Sequence, residues 1–244
     1  MNYKSDHIKR KKKYIQTPDK STIKEIYLIR HGETEWDNLD KAQGSENNLP
    51  LTDNGKEQVK ITGQYLLNYR MKNKKFDCII SSPMKQTMET AEIISEIIGY
   101  KDKIIQNKLL EETRKGLYAG IKNESPLHLL IKKTAQKKKF SDPIMFYQFD
   151  IIKYINDELE LDMETKKEQY KRADKIIKLI ELLDYKKIII ISHSDILKSL
   201  IERIFCINRI PIGNISDNGT SWISYIQYKK GKYHLVSSPN NEHL

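Results

Sequence analysis

Short apolar segments alternate with longer amphipathic segments along most of this chain. The short segments, rich in Ile, Leu, Tyr and Cys, are typical of strands, whereas apolar residues in the longer ones recur at helical spacing. The predicted strands span residues 25–29, 76–81, 104–106 and 187–192, with antiparallel strands at 221–228 and 233–236. The unbroken apolar run at 188–191 indicates a strand that is covered on both faces.

Four helices are predicted between these strands. Thr52 is a suitable N-cap for a helix that ends near Met71, and Pro83 occupies a favoured first-turn position of a helix that ends near Ile98. The other two helices span about residues 164–183 and 195–205. This alternation predicts an α/β fold of three α/β/α layers around a mostly parallel central sheet.

Residues 121–162 interrupt the alternation with irregular helical pieces, in which lysines come first and carboxylates follow. We therefore expect one domain over residues 23–244 with a cap-like insertion at about 121–162, preceded by a flexible basic tail over residues 1–22. Two interpretations of the insertion remain open. It is either a solvated helical cap over one edge of the sheet or a lid that recognises substrate, because loops at strand C-termini bind ligands in open α/β sheets.

The formal net charge of +10 is unevenly distributed. Residues 1–22 contain seven Lys or Arg against Asp6 and Asp19, so half of the excess lies in the tail. The basic run at 9–13 fits a solvated leader, a nuclear address, or a contact with nucleic acid or an anionic surface. Of these, the solvated leader is favoured.

The remaining composition bears on location. No apolar stretch approaches the roughly 20 residues that span a bilayer, and residues 1–20 lack the apolar core of a secretory signal. Cys78 and Cys206 lie in apolar segments, which is typical of buried thiols in a reducing compartment. We expect a cytoplasmic protein without a membrane span, or a nuclear one if the run at 9–13 acts as an address.

Candidate chemistry follows two of the apolar strands where each ends. Arg30, His31 and Gly32 come directly after the first strand, and His193 follows the strand at 187–192. Because the carboxyl ends of parallel strands meet at one edge of a sheet, we expect the two histidines to converge. An arginine beside a histidine offers a phosphate clamp beside a nucleophile or proton carrier.

Two further segments point to the same edge. Ser81 and Ser82 lead from a predicted strand into the predicted helix that has Pro83 in its first turn, and the N-terminus of such a helix favours anions. Glu112 comes before Gly116 and Gly120, in a loop where close backbone approach is expected. Taken alone, Glu112 is as readily interpreted as an ordinary loop carboxylate.

Together these segments resemble the histidine phosphatase superfamily, which has the phosphoglycerate mutase-like fold. The matching segments occur in the family's order and cover about residues 25–230. They are Arg30-His31-Gly32-Glu33-Thr34 with Trp36, Gln43-Gly44, Leu49-Pro50-Leu51-Thr52 with Gly55 and Gln58, Ser81-Ser82-Pro83 with Thr90-Ala91, Glu112 with Gly116 and Gly120, Ser192-His193, and Asn218-Gly219-Thr220.

The resemblance implies a role for each site residue. His31 would be the nucleophile that becomes a phosphohistidine, Arg30 and His193 would hold the phosphoryl oxygens, and Glu112 would protonate the leaving oxygen. No metal and no cofactor is implied, since a neutral imidazole attacks phosphorus unaided. The residues implied in substrate binding are Arg30, Asp37, Asn38, Gln43, Gly44, Gln86 and Thr220.

Two positions depart from the family pattern. Gln86 stands where a second phosphate-binding arginine is usual, and a hydrogen bond to a charged group is worth about 1.5–3 kcal/mol. Lys85 or Arg114 are candidates to restore that charge. Asp37 stands where asparagine is usual, and the neighbouring Asn38 is a candidate to compensate.

Three functions remain open. The leading hypothesis is a metal-independent phosphatase that acts on a small phosphorylated metabolite or a phosphoprotein, favoured because Arg30, His31, Glu112 and His193 are all present. A catalytically weakened phosphate-binding scaffold is favoured by the departures at positions 37 and 86. A phosphoglycerate mutase that uses 2,3-bisphosphoglycerate is disfavoured, since such mutases follow the glutamate with Arg-His-Tyr-Gly, and lysines replace the paired arginines expected in the insertion.

Overall fold

The computed structural model describes residues 23–70, 75–137, 151–208 and 219–244. Within these ranges the strands form one six-stranded sheet in the order β3-β2-β4-β1-β5-β6. The strands are β1 Lys24–Arg30, β2 Cys78–Ser81, β3 Ile105–Gln106, β4 Lys187–Ser192, β5 Ile223–Lys229 and β6 Lys232–Asn240. The first four strands run parallel, whereas β5 is antiparallel to β1 and β6 is antiparallel to β5. The predicted α/β class and its two antiparallel strands are thus confirmed.

Both faces of β1 are buried. Ile26 and Leu28 belong to one apolar cluster, while Tyr27 and Ile29 belong to a second cluster on the opposite face. Side chains alternate between the faces of a strand, so the apolar run at 26–29 requires cover on both sides. The helices supply that cover, which makes three layers.

The helices are α1 Glu35–Asn38, α2 Asp53–Tyr65, α3 Lys85–Ile97, α4 Pro126–Lys137, α5 Ile151–Leu159, α6 Lys166–Leu182 and α7 Ser194–Asn208. Thr52 is the N-cap of α2, because its Oγ1 accepts a hydrogen bond from the Gly55 N–H at 2.9 Å. The predicted end of this helix at Met71 lies outside the described residues. Before that point, α2 gives way to a π-helical segment at Leu66–Arg70.

The predicted helical position of Pro83 is wrong. Helix α3 begins at Lys85, and Met84 is its N-cap with an extended backbone. Ser82 Oγ accepts a hydrogen bond from the Met84 N–H at 3.3 Å, and Thr87 Oγ1 donates to the Met84 carbonyl at 2.7 Å. These bonds fix the extended backbone at Met84, so Pro83 lies before the N-cap and outside the helix.

The segment at 121–162 contains α4 and α5. Leu127 and Ile131 of α4 pack around Ile155 of α5 together with Leu161 and Met163, which forms an apolar cluster separate from the two beside the sheet. Residues 138–150 of this segment and the tail at 1–22 lie outside the described residues. The domain boundaries therefore stay predictions.

Two other sequence expectations can be located. Cys78 is a buried free thiol in β2, whereas the surroundings of the Cys206 side chain lie outside the described part of the chain. Among the described residues, no helix is both long enough and apolar enough to cross a membrane.

Candidate active site

His31 and His193 lie side by side at the carboxyl ends of two adjacent parallel strands. Arg30 in β1 is in register with Ser192 in β4, and the His31 N–H donates to the Ser192 carbonyl at 3.1 Å. The two imidazole centroids are 5.1 Å apart, with an interplanar angle of 63°. Both side chains are buried. The strand register therefore brings together two residues that are far apart in the sequence.

The hydrogen bonding of His31 fixes its tautomer. Its Nδ1 lies 2.7 Å from the Gly32 carbonyl oxygen, which can only accept, so Nδ1 carries the proton and Nε2 keeps its lone pair. Burial, and after it the charge of Arg30, lowers the pKa of His31 to about 4, although Asp37 acts in the opposite direction. At neutral pH the imidazole is therefore uncharged, with Nε2 available as a nucleophile.

His193 is also held neutral. Burial lowers its pKa well below the usual value, and the nearby His31 and Arg30 act in the same direction. Its Nε2 lies 3.1 Å from Ser82 Oγ, which is buried at the end of β2. The ends of β1, β2 and β4 thus contribute neighbouring polar groups to one edge of the sheet.

Arg30 is engaged by two acceptors. Its Nη2 donates to Asp37 Oδ1 and its Nη1 donates to the Gly219 carbonyl, both at 2.7 Å. Asp37 Oδ2 accepts from the backbone and the hydroxyl of Thr34 at 2.8 and 2.7 Å. Burial works against the charge of Asp37, but Arg30, His31 and these hydrogen bonds outweigh it and hold its pKa below the usual value. Asp37 is therefore charged and neutralises Arg30.

The buried carboxyl group of Glu112, a residue of the loop after β3, lies against the N-terminus of α7. Its Oε1 accepts from the N–H groups of Thr113 at 2.7 Å and Ile196 at 3.3 Å, and its Oε2 accepts from the Asp195 N–H at 3.3 Å. Burial, followed by the charge of Asp195, raises the pKa of Glu112 to about 7, against the opposing effect of Lys115. Glu112 can therefore hold a proton at neutral pH and release it slightly above.

The loop that carries Glu112 is anchored by Arg172 of α6. The guanidinium donates to both carboxylate oxygens of Glu164, at 3.0 and 2.6 Å, and also to the carbonyls of Leu109 and Glu111 on either side of Leu110. Within the same loop, Gly116 has a φ of +53°, and a Cβ there would lie 1.9 Å from the Leu161 carbonyl oxygen. Only glycine fits this close approach, as the sequence indicated.

An open cavity of about 540 Å³ lies over this edge of the sheet. The predicted site residues that line it are Arg30, Asp37, Asn38, Gln43, Glu112 and Thr220. Gly44, Gln86 and the two imidazoles are not among its lining residues, but His31 directly follows the lining residue Arg30 and His193 directly precedes the lining residue Ser194. Thr220 donates to Gln58 Oε1 at 2.7 Å, whereas the buried Gln43 Oε1 has no hydrogen-bond partner among the described residues.

Gln86 stands at the position where the family usually has a second phosphate-binding arginine, so its surroundings show whether the cation is replaced. Its side chain is 2% exposed near the start of α3, and its Oε1 has no hydrogen-bond partner among the described residues. Neither proposed substitute for the arginine lies on the cavity. Arg114 donates to the carbonyl and the carboxylate of Asp162, and Lys85 is exposed.

The N-terminus of α3 is less open to an anion than the sequence suggested. The N–H of Lys85 donates to Asn48 Oδ1, and that of Met84 donates to Ser82 Oγ. Side chains of the protein therefore already satisfy two of the donors at this helix end.

Several cavity residues were missed by the sequence analysis. They are Lys41, Lys115, Tyr118, Ser194 and Asp195. Lys115 and Asp195 form an ion pair beside Glu112. Lys115 follows the predicted site residue Glu112 within three positions and Asp195 follows His193 within two, so proximity in sequence to predicted site residues is the signal that could have found them.

Within the described ranges, no group of three or more His, Cys, Asp or Glu residues is arranged to hold a metal ion.

The sequence matches one protein family over most of its length. The family model is described as the histidine phosphatase superfamily (branch 1), and it matches residues 26–241. Among curated relatives, the "Uncharacterized phosphatase PhoE" of Bacillus subtilis is 38% identical over 73 residues, which are 30% of this chain and 35% of that protein. The "Probable phosphoglycerate mutase GpmB" of Photorhabdus laumondii is 36% identical over 93 residues, covering 38% of this chain and 40% of that protein. The matched part thus spans well under half the length of these relatives.

Solved structures resemble this chain over nearly its whole length. A phosphoglycerate mutase from Bacillus anthracis aligns with a TM-score of 0.72 and 21% identity, covering 92% of this chain and 96% of that one. A phosphoserine phosphatase variant from Entamoeba histolytica, in complex with phosphoserine, aligns with a TM-score of 0.64 and 22% identity over 91% and 99% of the two chains. These similarities show that the fold is phosphoglycerate mutase-like.

Proposed function

This chain belongs to the histidine phosphatase superfamily, and from that premise we propose that it is a metal-independent phosphomonoester hydrolase that acts through a phosphohistidine at His31. The tautomer of His31 is the observation that carries this function. Gly32 holds the proton on Nδ1, and burial keeps the ring uncharged, so Nε2 is a ready nucleophile.

In the first step, His31 Nε2 attacks the phosphorus atom, and the bond from phosphorus to the leaving oxygen breaks. Glu112 donates its proton to that oxygen, which leaves as an alcohol. Arg30 and His193 stabilise the charge on the phosphoryl oxygens. The negative charge of the bound phosphate favours protonation of His193, which is neutral in the empty site.

In the second step, Glu112 acts as a base. Its carboxylate takes a proton from water, the oxygen attacks the phosphohistidine, and the bond between nitrogen and phosphorus breaks. Inorganic phosphate leaves, while His31 and Glu112 return to their starting protonation states. Asp37, Asn38, Gln43, Gly44, Gln86 and Thr220 are proposed to surround the substrate, and no cofactor is proposed for hydrolysis.

The test is hydrolysis of p-nitrophenyl phosphate in the presence of EDTA. We expect turnover by the native protein and loss of at least 1000-fold in His31→Ala, on the order of what removal of a catalytic nucleophile costs. The exposed His234 provides a matched control, and His234→Ala should keep full activity. Phosphohistidine hydrolyses in acid but survives in alkali, so alkaline quenching should trap the labelled phosphoryl group of the substrate on the native chain and not on His31→Ala. Equal activity in native protein and His31→Ala would refute the phosphohistidine route.

The substrate class is proposed as a small phosphorylated metabolite or a phosphoprotein side chain. A cavity of about 540 Å³ accommodates a compact leaving group. Phosphoserine belongs in the first substrate panel, because the similar Entamoeba histolytica phosphatase was crystallised with it. Contact of the basic tail with nucleic acid or an anionic surface stays a prediction, as does a cytoplasmic or nuclear location.

A weakened phosphate-binding homologue is the second candidate. Asp37 neutralises Arg30, and Gln86 contributes no charge, which together favour slow chemistry. Calorimetric binding of inorganic phosphate without turnover of any substrate in the panel would support this function.

A phosphoglycerate mutase is the third candidate, and some relatives carry that name. The sequence Thr113-Arg114-Lys115-Gly116 and the pairing of Arg114 with Asp162 argue against it. A coupled assay of 3- to 2-phosphoglycerate conversion, with 2,3-bisphosphoglycerate as cofactor, would detect it.

A further inference from the structure

An ion pair lies against the carboxyl group of Glu112. Lys115 Nζ contacts Asp195 Oδ2, and Thr113 Oγ1 donates to the same oxygen at 3.4 Å. The backbone N–H of Asp195 in turn donates to Glu112 Oε2 at 3.3 Å. One residue therefore holds Glu112 through its backbone and holds Lys115 through its side chain.

We propose that Lys115 and Asp195 are positioning residues that set, from opposite directions, the pH at which Glu112 loses its proton. This inference rests on the proposed function, in which Glu112 is the general acid. Neither side chain needs to contact the reacting atoms. The pair acts through the charge that each partner presents to the buried carboxyl group.

The direction of each effect follows from electrostatics. The carboxylate of Asp195 repels an ionised Glu112 and so favours the protonated acid, whereas the ammonium group of Lys115 favours the ionised form. The pKa of Glu112 is raised by burial first and by Asp195 second, with Lys115 acting against them. Contact with Lys115 holds the pKa of Asp195 well below its usual value, so the negative charge persists throughout the working range.

The other charged groups near the ion pair, among the described residues, act on Asp195 or are engaged elsewhere around the cavity. From α7 and α6, Lys198 and Lys166 act on Asp195. Around the rest of the cavity, Arg30 is paired with Asp37, the imidazoles of His31 and His193 are neutral, and Lys41 lies over the Trp36 ring. Among the described residues, the other charged groups that line the cavity are Glu33, which accepts hydrogen bonds from Thr52 and Asn54, and Asp40, which accepts one from Asn123.

The pair is partly open to solvent. The Lys115 side chain is 20% exposed and that of Asp195 is 38% exposed. Water therefore screens their charges, and each substitution should move the ionisation of Glu112 by about one pH unit rather than several.

The experiment measures kcat/KM for an alkyl phosphate against pH in matched variants. The quantity compared is the alkaline limit, which is the pH at which kcat/KM falls to half of its maximum as Glu112 loses its proton. Asp195→Asn should move that limit down by about one pH unit, because Lys115 then faces Glu112 without its counter-ion. Lys115→Met should move it up by a similar amount. The double variant should return towards the native limit, and Lys115→Arg, which keeps the charge, should restore it.

Arg114→Met is the matched control. It removes a cation from the adjacent position, but that side chain is paired with Asp162 and does not line the cavity. Its alkaline limit should be unchanged. Thermal unfolding of each variant separates loss of fold from a shift of the limit.

A second readout does not depend on activity. Carbon-13 NMR of labelled glutamate carboxyl groups, with the Glu112 signal assigned by its loss in Glu112→Gln, gives the same titration directly. Shifts in one common direction, or no shift in either single variant, would overturn the role of the pair. An inactive native protein would count against the proposed phosphatase instead, and the NMR titration would still decide whether Lys115 and Asp195 act on Glu112.

Discussion

Arg30 Nη2 lies 2.7 Å from Asp37 Oδ1, so the cation beside the nucleophile meets a counter-charge before any substrate arrives. The two side chains are only 12% and 14% exposed, and water therefore screens the pair weakly. An incoming phosphate must compete with Asp37 for the guanidinium group. This competition makes Asp37 a determinant of phosphate affinity.

We expect Asp37→Asn to bind inorganic phosphate about ten-fold more tightly, because a charge-assisted hydrogen bond from Arg30 becomes available to the anion. The amide oxygen can still accept from Thr34, so the local turn should be retained. Competitive inhibition of p-nitrophenyl phosphate hydrolysis by phosphate measures the change. Asp53→Asn, which removes an exposed carboxylate paired with Lys56, is the control. Unchanged or weaker inhibition in Asp37→Asn would show that the ion pair does not limit binding.

The pH profile of kcat/KM should be bell-shaped. Activity should rise through about pH 4, as His31 loses its proton and becomes a nucleophile, and fall through about pH 7, as Glu112 loses the proton that it must donate. The second proton of a phosphomonoester also dissociates near pH 6. The same substrate is therefore used with the native protein and with Glu112→Gln, so that its own titration is common to both profiles. In Glu112→Gln the limit near pH 7 should disappear while the one near pH 4 remains. A limit near pH 7 that persists in Glu112→Gln would assign it to another group.

Gln86→Arg should increase affinity for phosphate about ten- to a hundred-fold, since it restores a charged bidentate donor at the family's arginine position. Gln86→Met is the control for side-chain size without charge. Both variants alter a buried position, so thermal unfolding should accompany the binding assay. A folded Gln86→Arg protein with native phosphate affinity would indicate that this side chain does not reach the phosphate.

Arg172→Met should reduce kcat about ten-fold and leave phosphate affinity nearly unchanged. The guanidinium holds the backbone on both sides of Leu110, and its loss should displace Glu112 while Arg30 and the imidazoles stay in place. Steady-state kinetics and phosphate inhibition separate the two effects. Arg203→Met, which breaks the ion pair with Asp174 between α7 and α6, is the control for losing an arginine. Similar losses of kcat in both variants would point to general destabilisation.

The sequence was informative where a local pattern has a direct structural meaning. The Ile run in β4 predicted burial on both faces, and β1 ends at Arg30, where the residues change from apolar to polar. Parallel pairing of β1 with β4 then required His31 and His193 to be neighbours. The role of Glu112 was predicted from the resemblance to the family motifs and not from this strand pattern.

Contacts between distant side chains were not predictable in the same way. Arg114 and Lys115 are adjacent in one loop, yet the first pairs with Asp162 outside the cavity and the second pairs with Asp195 beside Glu112. Only the path of the loop around Gly116 decides which lysine or arginine faces the site. The start of α3 was likewise set by the hydrogen bonds that Ser82 Oγ accepts from the Met84 N–H and that Thr87 donates to the Met84 carbonyl, which override the preference of Pro83 for a first turn.

The central position of β1 also determines at what stage of unfolding the site is lost. The His31 N–H is bonded to the adjacent strand, and β1 is flanked on both sides by β4 and β5, so this amide has no route to solvent through fraying of a sheet edge. Its hydrogen exchange should therefore be slower than that of the amides in the edge strands β3 and β6. The nucleophile would then be among the last groups to become disordered in denaturant, and residual activity would count intact molecules rather than partly opened ones.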